Sequence, residues 1–197
     1  VTYTVNDRNQ LIIEHHATCD TPSLLALTNH AYWNLDGSDD VTEHFLEMDS
    51  EEYVEVDDTA CPTGAIRSVH NTRFDFRKGK QLKESKEAPG EILDLDNDLV
   101  IAKKDPPVTP TSYLRFWSQK SGIELSITTS YPVIHLYASK FLDCKGKKGE
   151  WYKPNKALAI EPQFHSAAPN FDNFPDVSLR PGQHYCQEIV YTFSHIN

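Results

Sequence analysis

Apolar and polar residues alternate with a period of two along much of the chain. The clearest run covers residues 123–128, where Ile123, Leu125 and Ile127 alternate with polar residues directly after a Ser-Gly turn. This pattern is typical of a strand with one buried and one solvated face. Similar runs predict further strands over Val1–Val5, Leu11–Ala17, Tyr113–Trp117, Val133–Ala138 and Ile189–Phe193.

Turn residues separate these runs, and helical periodicity is weak. Pairs such as Asn-Asp, Asp-Gly, Pro-Gly and Pro-Pro interrupt the chain. The pair Pro89–Gly90 also limits any helix over Ser85–Ile92 to one or two turns. Many short strands with frequent turns are typical of an antiparallel sandwich or barrel. A length of 197 residues favours one core, so we expect a single domain over residues 1–197.

Charge and composition exclude several classes of function. The chain has 19 Lys and Arg against 29 Asp and Glu, a formal charge of −10. This acidity argues against a nucleic-acid partner, because phosphate binding needs clustered positive charge. No apolar run approaches the ~20 residues that cross a bilayer, and no signal-peptide pattern opens the chain. We therefore expect no membrane partner and a cytoplasmic location.

The four cysteines and the histidines give no clear metal or disulfide pattern. Cys19, Cys61, Cys144 and Cys186 are widely spaced, so free thiols are the simplest interpretation, and two disulfides are the alternative. The best metal candidate is the His15–His16 pair with Cys19 and Asp20. Adjacent residues of a strand point to opposite faces, so these two imidazoles cannot bind one ion. We predict neither a metal nor a cofactor.

Two segments place polar groups where a sugar site would need them. Leu27–Leu35 contains Asn29 and His30 among aromatic residues, just before an Asp-Gly turn. A sugar needs hydrogen-bonding partners for its hydroxyls and an aromatic plane for its apolar ring face. A histidine packed within an aromatic core would give the same pattern, and the segment alone does not separate the two.

The second segment is Ala157–Gln163, in which an apolar strand leads into Glu161 and is predicted to stop at Pro162. A carboxylate at the end of a buried strand is costly unless it is paired or functional. A glutamate that emerges into solvent is the alternative. Together, Glu161 and His30 offer a base and an acid that need neither metal nor cofactor.

Several motifs, in order along the chain, resemble those of the galactose mutarotase (aldose 1-epimerase) family. Leu27–Leu35 resembles the family's N-L-T-N-H-x-Y-F-N-L signature, and Ala159–Gln163 resembles the strand that carries its catalytic glutamate. Further resemblances are Asp57–Ile66 to D…PTGEI, Phe74–Arg77 to FDFR, Leu95–Asn97 to G-x-D-H/N, Asn173–Gly182 to NFP…LRPG, and Tyr191–Phe193 to the terminal Y-x-F. This chain has Trp33 where the family has Phe, Ala65 for Glu, and Ser166–Ala167 where Pro-Asp is frequent.

The resemblance implies an all-β fold, a large antiparallel β-sandwich of the mutarotase type. The family's N-terminal portion, which carries a sugar-binding Arg and a further active-site His, has no counterpart in this sequence, so we expect the sandwich to be incomplete at its N-terminus.

The resemblance also implies a function and assigns residues to it. The implied reaction interconverts the α and β anomers of a hexose such as galactose or glucose, with the sugar as partner. His30 would be the acid that protonates the ring oxygen, and Glu161 the base at the anomeric hydroxyl. The implied sugar-binding residues are Asp96, Asn29, Tyr32 and Gln163. The alternatives are a non-catalytic carbohydrate-binding domain of the same fold and the mutarotase part of a larger bifunctional sugar-metabolism protein.

Overall fold

The computed structural model describes residues 1–101 and 113–196, which form strands and short 3₁₀ helices but no α-helix. The strands are β1 Thr2–Asn6, β2 Gln10–Ala17, β3 Ser23–Leu24, β4 Tyr32–Trp33, β5 Phe45–Met48, β6 Glu52–Val56, β7 Pro62–Ser68, β8 Lys80–Gln81, β9 Asp96–Val100, β10 Leu114–Trp117, β11 Ile123–Thr129, β12 Val133–Tyr137, β13 Cys144–Lys145, β14 Trp151–Tyr152, β15 Leu158–Gln163, β16 Ser178–Leu179 and β17 Tyr185–His195. The 3₁₀ helices cover Leu82–Ser85, Lys147–Gly149 and Ala168–Asn170.

Two large antiparallel sheets pack against each other. The first has the strand order β1-β2-β17-β11-β10-β5-β8, and the second has the order β4-β15-β12-β9-β6-β7. The pairs β13-β14 and β16-β3 form two small additional sheets. One core cluster contains residues of both large sheets, among them Ile13 and Ile127 from the first and Ile134 and Leu136 from the second. The described residues therefore form the predicted all-β antiparallel sandwich.

The strands predicted from alternation are confirmed with small shifts in their bounds. The run at 123–128 is β11, in which Leu125 and Ile127 are fully buried. The run at 189–193 lies inside the longer β17, because that strand pairs with β2 along one edge and with β11 along the other. The stretch 85–92 forms no helix beyond the 3₁₀ turn that ends at Ser85.

The end predicted for the strand at Pro162 is wrong, because β15 continues to Gln163. On one side, β15 pairs with β4 only at Leu158 and Ala159. After Ala159 this edge of β15 has no neighbouring strand that needs its backbone N–H groups, so a proline is tolerated there. The continuation keeps Glu161 inside the sheet, between residues that pair with β12.

Two further sequence expectations concern the membrane and the cysteines. Among the described residues, no helix has the length and apolarity to cross a bilayer. All four cysteines are free thiols, and three of them are exposed. The free-thiol interpretation is therefore confirmed over the two disulfides.

Core packing between the sheets predicts the effect of truncating Leu136. This side chain of β12 is fully buried. We expect Leu136→Ala to lower the free energy of unfolding by about 2–5 kcal/mol, because it removes apolar contacts and leaves a cavity. Urea unfolding measures the change, with Ile92→Ala as control, since Ile92 is 49% exposed. An equal loss in both variants would contradict this account of the core.

Candidate active site

The site lies on the outer face of the six-stranded sheet, where β9, β12 and β15 run side by side. The register places Asp98 opposite His135, and His135 opposite Glu161. Since successive strand residues point to opposite faces, the neighbours Ile134 and Leu136 point into the core instead. Three charged side chains are thus aligned across three strands.

This row forms part of a cavity of about 340 Å³, a size suited to a small ligand. Both polar groups and aromatic rings line it: His30, Asp96, His135, Tyr137, Phe141, Glu161, Gln163 and Ser166. The Phe141 ring is 73% exposed, and its backbone N–H donates to the Tyr137 hydroxyl at 3.0 Å. The cavity therefore combines a polar interior with an accessible aromatic side chain.

His30 and Glu161 meet in this cavity from different parts of the fold. Nε2 of His30 lies 3.3 Å from Oε1 of Glu161. Glu161 is held within β15 and is almost fully buried, whereas the His30 side chain is half exposed on the segment before β4. The His30 ring rests against Tyr32, with ring centroids 5.0 Å apart, and meets Tyr137 edge-on at 6.4 Å. A potential proton donor and acceptor therefore lie side by side at an accessible surface.

His135 is held between two carboxylates. Its Nδ1 lies 2.8 Å from Oδ1 of Asp98, and its Nε2 lies 3.1 Å from Oδ1 of Asp96. Burial by itself lowers the pKa of His135, but the hydrogen bonds to Asp96 and Asp98 and the nearby charges of Asp98 and Glu161 outweigh it and raise the pKa to about 10. At neutral pH the ring is therefore an imidazolium that donates both N–H groups.

Asp98 connects His135 to the turn after β15 through hydrogen bonds. It is 2% exposed and accepts hydrogen bonds from His135, from the backbone N–H of Ser166 at 2.6 Å, from the Ser166 hydroxyl at 3.1 Å and from the Gln163 amide at 3.4 Å. These donors compensate the cost of burying the carboxylate. Ser166, at one of the positions where the chain departs from the family pattern, thus fixes the turn after β15.

The surrounding groups also change the pKa of the Glu161 carboxyl. Burial raises the pKa of this carboxyl, the positive charges of His135 and His30 lower it, and the negative charges of Asp98 and Asp96 raise it again. The net result is a pKa above the usual range of a glutamate. A carboxylate with a raised pKa holds a proton more strongly and is a better general base.

Three of the sugar-binding residues predicted from the sequence lie at or beside the cavity. Asp96 and Gln163 line it directly, and the Gln163 amide also donates to Ser166 at 3.1 Å. Tyr32 packs on His30 and lines a neighbouring cavity of about 480 Å³. The sequence-predicted pair His30–Glu161 and these three residues thus share one region of the surface.

Asn29 is not brought into the cavity. Its Oδ1 lies 3.5 Å from the hydroxyl of Tyr191, a fully buried residue of β17 in the core. Asn29 is half-buried and its amide oxygen faces Tyr191, whereas His30 is exposed, so the two neighbouring side chains point in different directions. The sugar contact predicted for Asn29 has no support in this geometry.

Comparison with known proteins assigns the family. Residues 1–192 match the family described as Aldose 1-epimerase. The chain belongs to the aldose 1-epimerase family. The resemblance noted in the sequence motifs is therefore confirmed.

The relatives are longer than this chain. Aldose 1-epimerase of Escherichia coli K12 is 32% identical over 200 residues, which cover 98% of this chain and 57% of that protein. Galactose mutarotase of Homo sapiens is 32% identical over 203 residues, which cover 98% of this chain and 56% of that protein. The chain thus spans a little over half the length of the curated relatives it matches.

Solved structures share the fold. The crystal structure of a GalM/aldose epimerase homologue from C. elegans is 84% identical, with a TM-score of 0.95, over 99% of this chain and 59% of that chain. Galactose 1-epimerase from Lactobacillus acidophilus, at 20% identity, has a TM-score of 0.81 over 99% of this chain and 56% of that chain. The sandwich described above is therefore the fold of these aldose epimerase structures.

The histidine pair considered as a metal candidate behaves as the alternation predicts. His15 is buried and His16 is exposed, on opposite faces of β2. Within residues 1–101 and 113–196, no group of three or more His, Cys, Asp or Glu side chains is arranged to hold a metal ion.

Sequence reasoning missed His135, Asp98, Ser166, Tyr137 and Phe141. A signal was present for two of them. The alternation over 133–138 sets His135 and Tyr137 on the face opposite the apolar Ile134 and Leu136. A single histidine on a polar face has many possible roles, and only the strand register reveals its neighbours on β9 and β15.

The charge of His135 predicts how stability depends on pH. The pKa of this group is about 10 in the folded protein and near ~6.5 in an unfolded chain. Its stabilising contribution is therefore complete below about pH 6.5 and is lost as the pH rises through about 10. We expect the stability difference between wild type and His135→Gln to shrink over this range, as measured by urea unfolding at several pH values.

The control for that comparison is His16→Gln, which removes an exposed histidine from the other sheet. Because this side chain is exposed, we expect its difference from wild type to change much less over the same pH range. If the gap between wild type and His135→Gln did not change between pH 6.5 and 10, His135 would not be a buried imidazolium.

Proposed function

We propose that the protein acts as an aldose 1-epimerase, interconverting the α and β anomers of a hexose such as galactose or glucose. The observation that carries this proposal is the 3.3 Å separation of His30 Nε2 and Glu161 Oε1 within a polar cavity. Family membership supports the class of reaction. The names of relatives, aldose 1-epimerase and galactose mutarotase, support a hexose as substrate.

The reaction needs two coordinated proton transfers. One proton leaves the hydroxyl on C1 while another arrives at the ring oxygen, and the bond between C1 and the ring oxygen breaks to give the open aldehyde. Rotation about the bond between C1 and C2 presents the other carbonyl face. Closure re-forms the C1–oxygen bond and reverses both proton transfers, so the product is the opposite anomer and the protein returns to its initial state.

The two neighbouring side chains fit these transfers. The C1 hydroxyl and the ring oxygen are attached to the same carbon, so a donor and an acceptor that reach both must also be close together. Glu161, with its raised pKa, accepts the proton of the C1 hydroxyl. His30, half exposed at the cavity surface, donates to the ring oxygen.

The remaining groups of the cavity suit the rest of a sugar. Oδ1 of Asp96 accepts a hydrogen bond from His135. Oδ2 of Asp96 makes no hydrogen bond within the described residues, so this oxygen is available to a sugar hydroxyl. The Gln163 amide and the Tyr32 ring extend the same surface. The exposed ring of Phe141 offers a face for the apolar side of the pyranose.

The chemistry as written is complete with an acid and a base, and it calls for no redox or Lewis-acid step. We further propose that the protein works in the cytoplasm. The four free thiols support this location, since exposed cysteines persist in a reducing compartment.

Removal of the proposed acid or base tests the function. We expect Glu161→Gln and His30→Asn each to lower the catalysed rate of anomer exchange by roughly 10²–10⁴-fold, the usual contribution of a positioned acid or base. Polarimetry on freshly dissolved α-D-glucose and α-D-galactose measures the rate, and circular dichroism checks that the variants fold. His16→Asn is the matched control and should retain wild-type rates.

Wild-type-like exchange in either variant would overturn the role given to that residue. If the wild-type protein bound these sugars saturably and gave no rate enhancement, the protein would be a carbohydrate-binding domain instead.

The exposed ring at the cavity predicts a different kinetic effect. We expect Phe141→Ala to raise KM by about 2- to 10-fold and to leave kcat nearly unchanged, because a stacking face contributes about 0.5–1.5 kcal/mol and stabilises bound sugar and transition state alike. Steady-state polarimetry separates the two constants. Tyr3→Ala, which removes an exposed ring on β1 of the other sheet, is the control. A fall in kcat with constant KM would show that Phe141 does not act as a binding surface.

A further inference from the structure

The proposed proton donor lies on a segment that pairs with no strand of the described part of the chain. Residues 25–31 have no regular secondary structure, and His30 is near their end. A side chain on such a segment would move through several orientations unless other contacts held the backbone. Proton transfer requires a fixed geometry, so the contacts of this segment bear directly on the use of His30.

Four hydrogen bonds hold the segment from different sides of the fold. The donors and acceptors are Leu25 N to Val177 O at 2.9 Å, Leu27 N to Tyr185 Oη at 3.2 Å, Thr28 Oγ1 to Pro162 O at 2.9 Å, and Tyr191 Oη to Asn29 Oδ1 at 3.5 Å. One of these reaches β15 beside Glu161, and two reach β17 of the opposite sheet. Together they replace the ladder of bonds that a strand would have.

The hydrogen bond to Tyr185 belongs to a longer series of hydrogen bonds that ends in the core. The Tyr185 hydroxyl lies 2.9 Å from the hydroxyl of Tyr131, which lies 2.8 Å from Nδ1 of His15. Tyr131 and His15 are almost fully buried. The hydrogen bonds therefore run from the Leu27 backbone through two tyrosines to β2, across the interior of the sandwich.

The backbone N–H of Leu27 fixes the donor and the acceptor of the first of these hydrogen bonds. An amide can only donate, so the Tyr185 oxygen accepts from Leu27, and its own proton can then be donated to Tyr131. Tyr131 can then donate to Nδ1 of His15 when that nitrogen carries no proton. Burial lowers the pKa of His15, and the charges of the N-terminus and His16 lower it further, which favours this neutral form. In this arrangement each donor has one acceptor.

We propose that Tyr185 is a positioning residue: its hydroxyl, oriented by Tyr131 and His15, fixes the Leu27 backbone and so holds His30 beside Glu161. Thr28 has the same role from the other side, through its bond to the Pro162 carbonyl. The consequence for catalysis rests on the proposed function, whereas the orientation of His30 does not.

Tyr185→Phe removes only the hydroxyl and keeps the ring that packs near Phe164. We expect kcat to fall about 10-fold, since a small displacement of the donor slows proton transfer, and KM to change less than about 2-fold, since no residue of the cavity is lost. Tyr53→Phe is the matched control. Tyr53 is a half-buried tyrosine packed on Phe74, and its hydroxyl makes no hydrogen bond among the described residues.

A second readout needs no turnover. The imidazole signals of His30 in an NMR spectrum, assigned by their loss in His30→Asn, should broaden or shift in Tyr185→Phe and stay unchanged in Tyr53→Phe. This measurement is made without sugar, so it tests the orientation of His30 even if the wild-type protein does not exchange anomers. That latter result would remove the proposed function but not the anchoring of the segment.

Thr28 supplies an independent pair of variants. Thr28→Val keeps the shape and removes the hydroxyl, and Thr28→Ser keeps the hydroxyl and removes a methyl group. We expect the valine variant to resemble Tyr185→Phe and the serine variant to retain wild-type kcat and His30 signals. Unchanged His30 signals in both Tyr185→Phe and Thr28→Val would overturn the proposal, as would altered signals accompanied by a wild-type kcat.

Discussion

Antiparallel register across three strands is the constraint on which the whole site depends. The pairing of β9 with β12 and of β12 with β15 places a carboxylate, an imidazolium and a second carboxylate next to each other. Each of these charges would be costly to bury alone, and each is compensated by its neighbour across the sheet. A shift of one residue in any strand would direct its polar side chain into the core. The apolar residues that fill the sandwich therefore also enforce the alignment of its polar face.

The acid and the base proposed for this site differ in how they are held. Glu161 belongs to the sheet, whereas His30 is brought to it by a segment fixed through side-chain and backbone hydrogen bonds. In the proposed reaction one proton enters the protein as another leaves, so the net charge of the site stays constant during each half-reaction. Fixed charges such as those of Asp98 and His135 can then serve both directions without rearrangement.

The sequence was sufficient for the fold, and it named two residues that the structure brings together. Alternation of polarity predicts the strands and also which face of each is buried, as residues 123–128 illustrate. Motif resemblance singled out His30 and Glu161, which lie far apart in the chain and 3.3 Å from each other in the structure. It could not show that His135 bridges Asp96 and Asp98, because that depends on which strands are neighbours and in which register. For a related reason the sequence could not show that Asn29 lies outside the cavity, since its proximity to His30 in sequence says nothing about the direction of its side chain.

Pro162 was also misjudged, and the reason is instructive. A proline normally ends a strand. Here β15 no longer pairs with β4 at the position of Pro162, and the Thr28 hydroxyl donates a hydrogen bond to the Pro162 carbonyl instead. The proposed base is therefore part of the sheet, and the segment that carries the proposed donor is attached by a few separate contacts. Substitutions in the attached segment can alter the donor's pose while the sheet stays intact. A scaffold divided in this way allows evolution to adjust reactivity and stability almost independently.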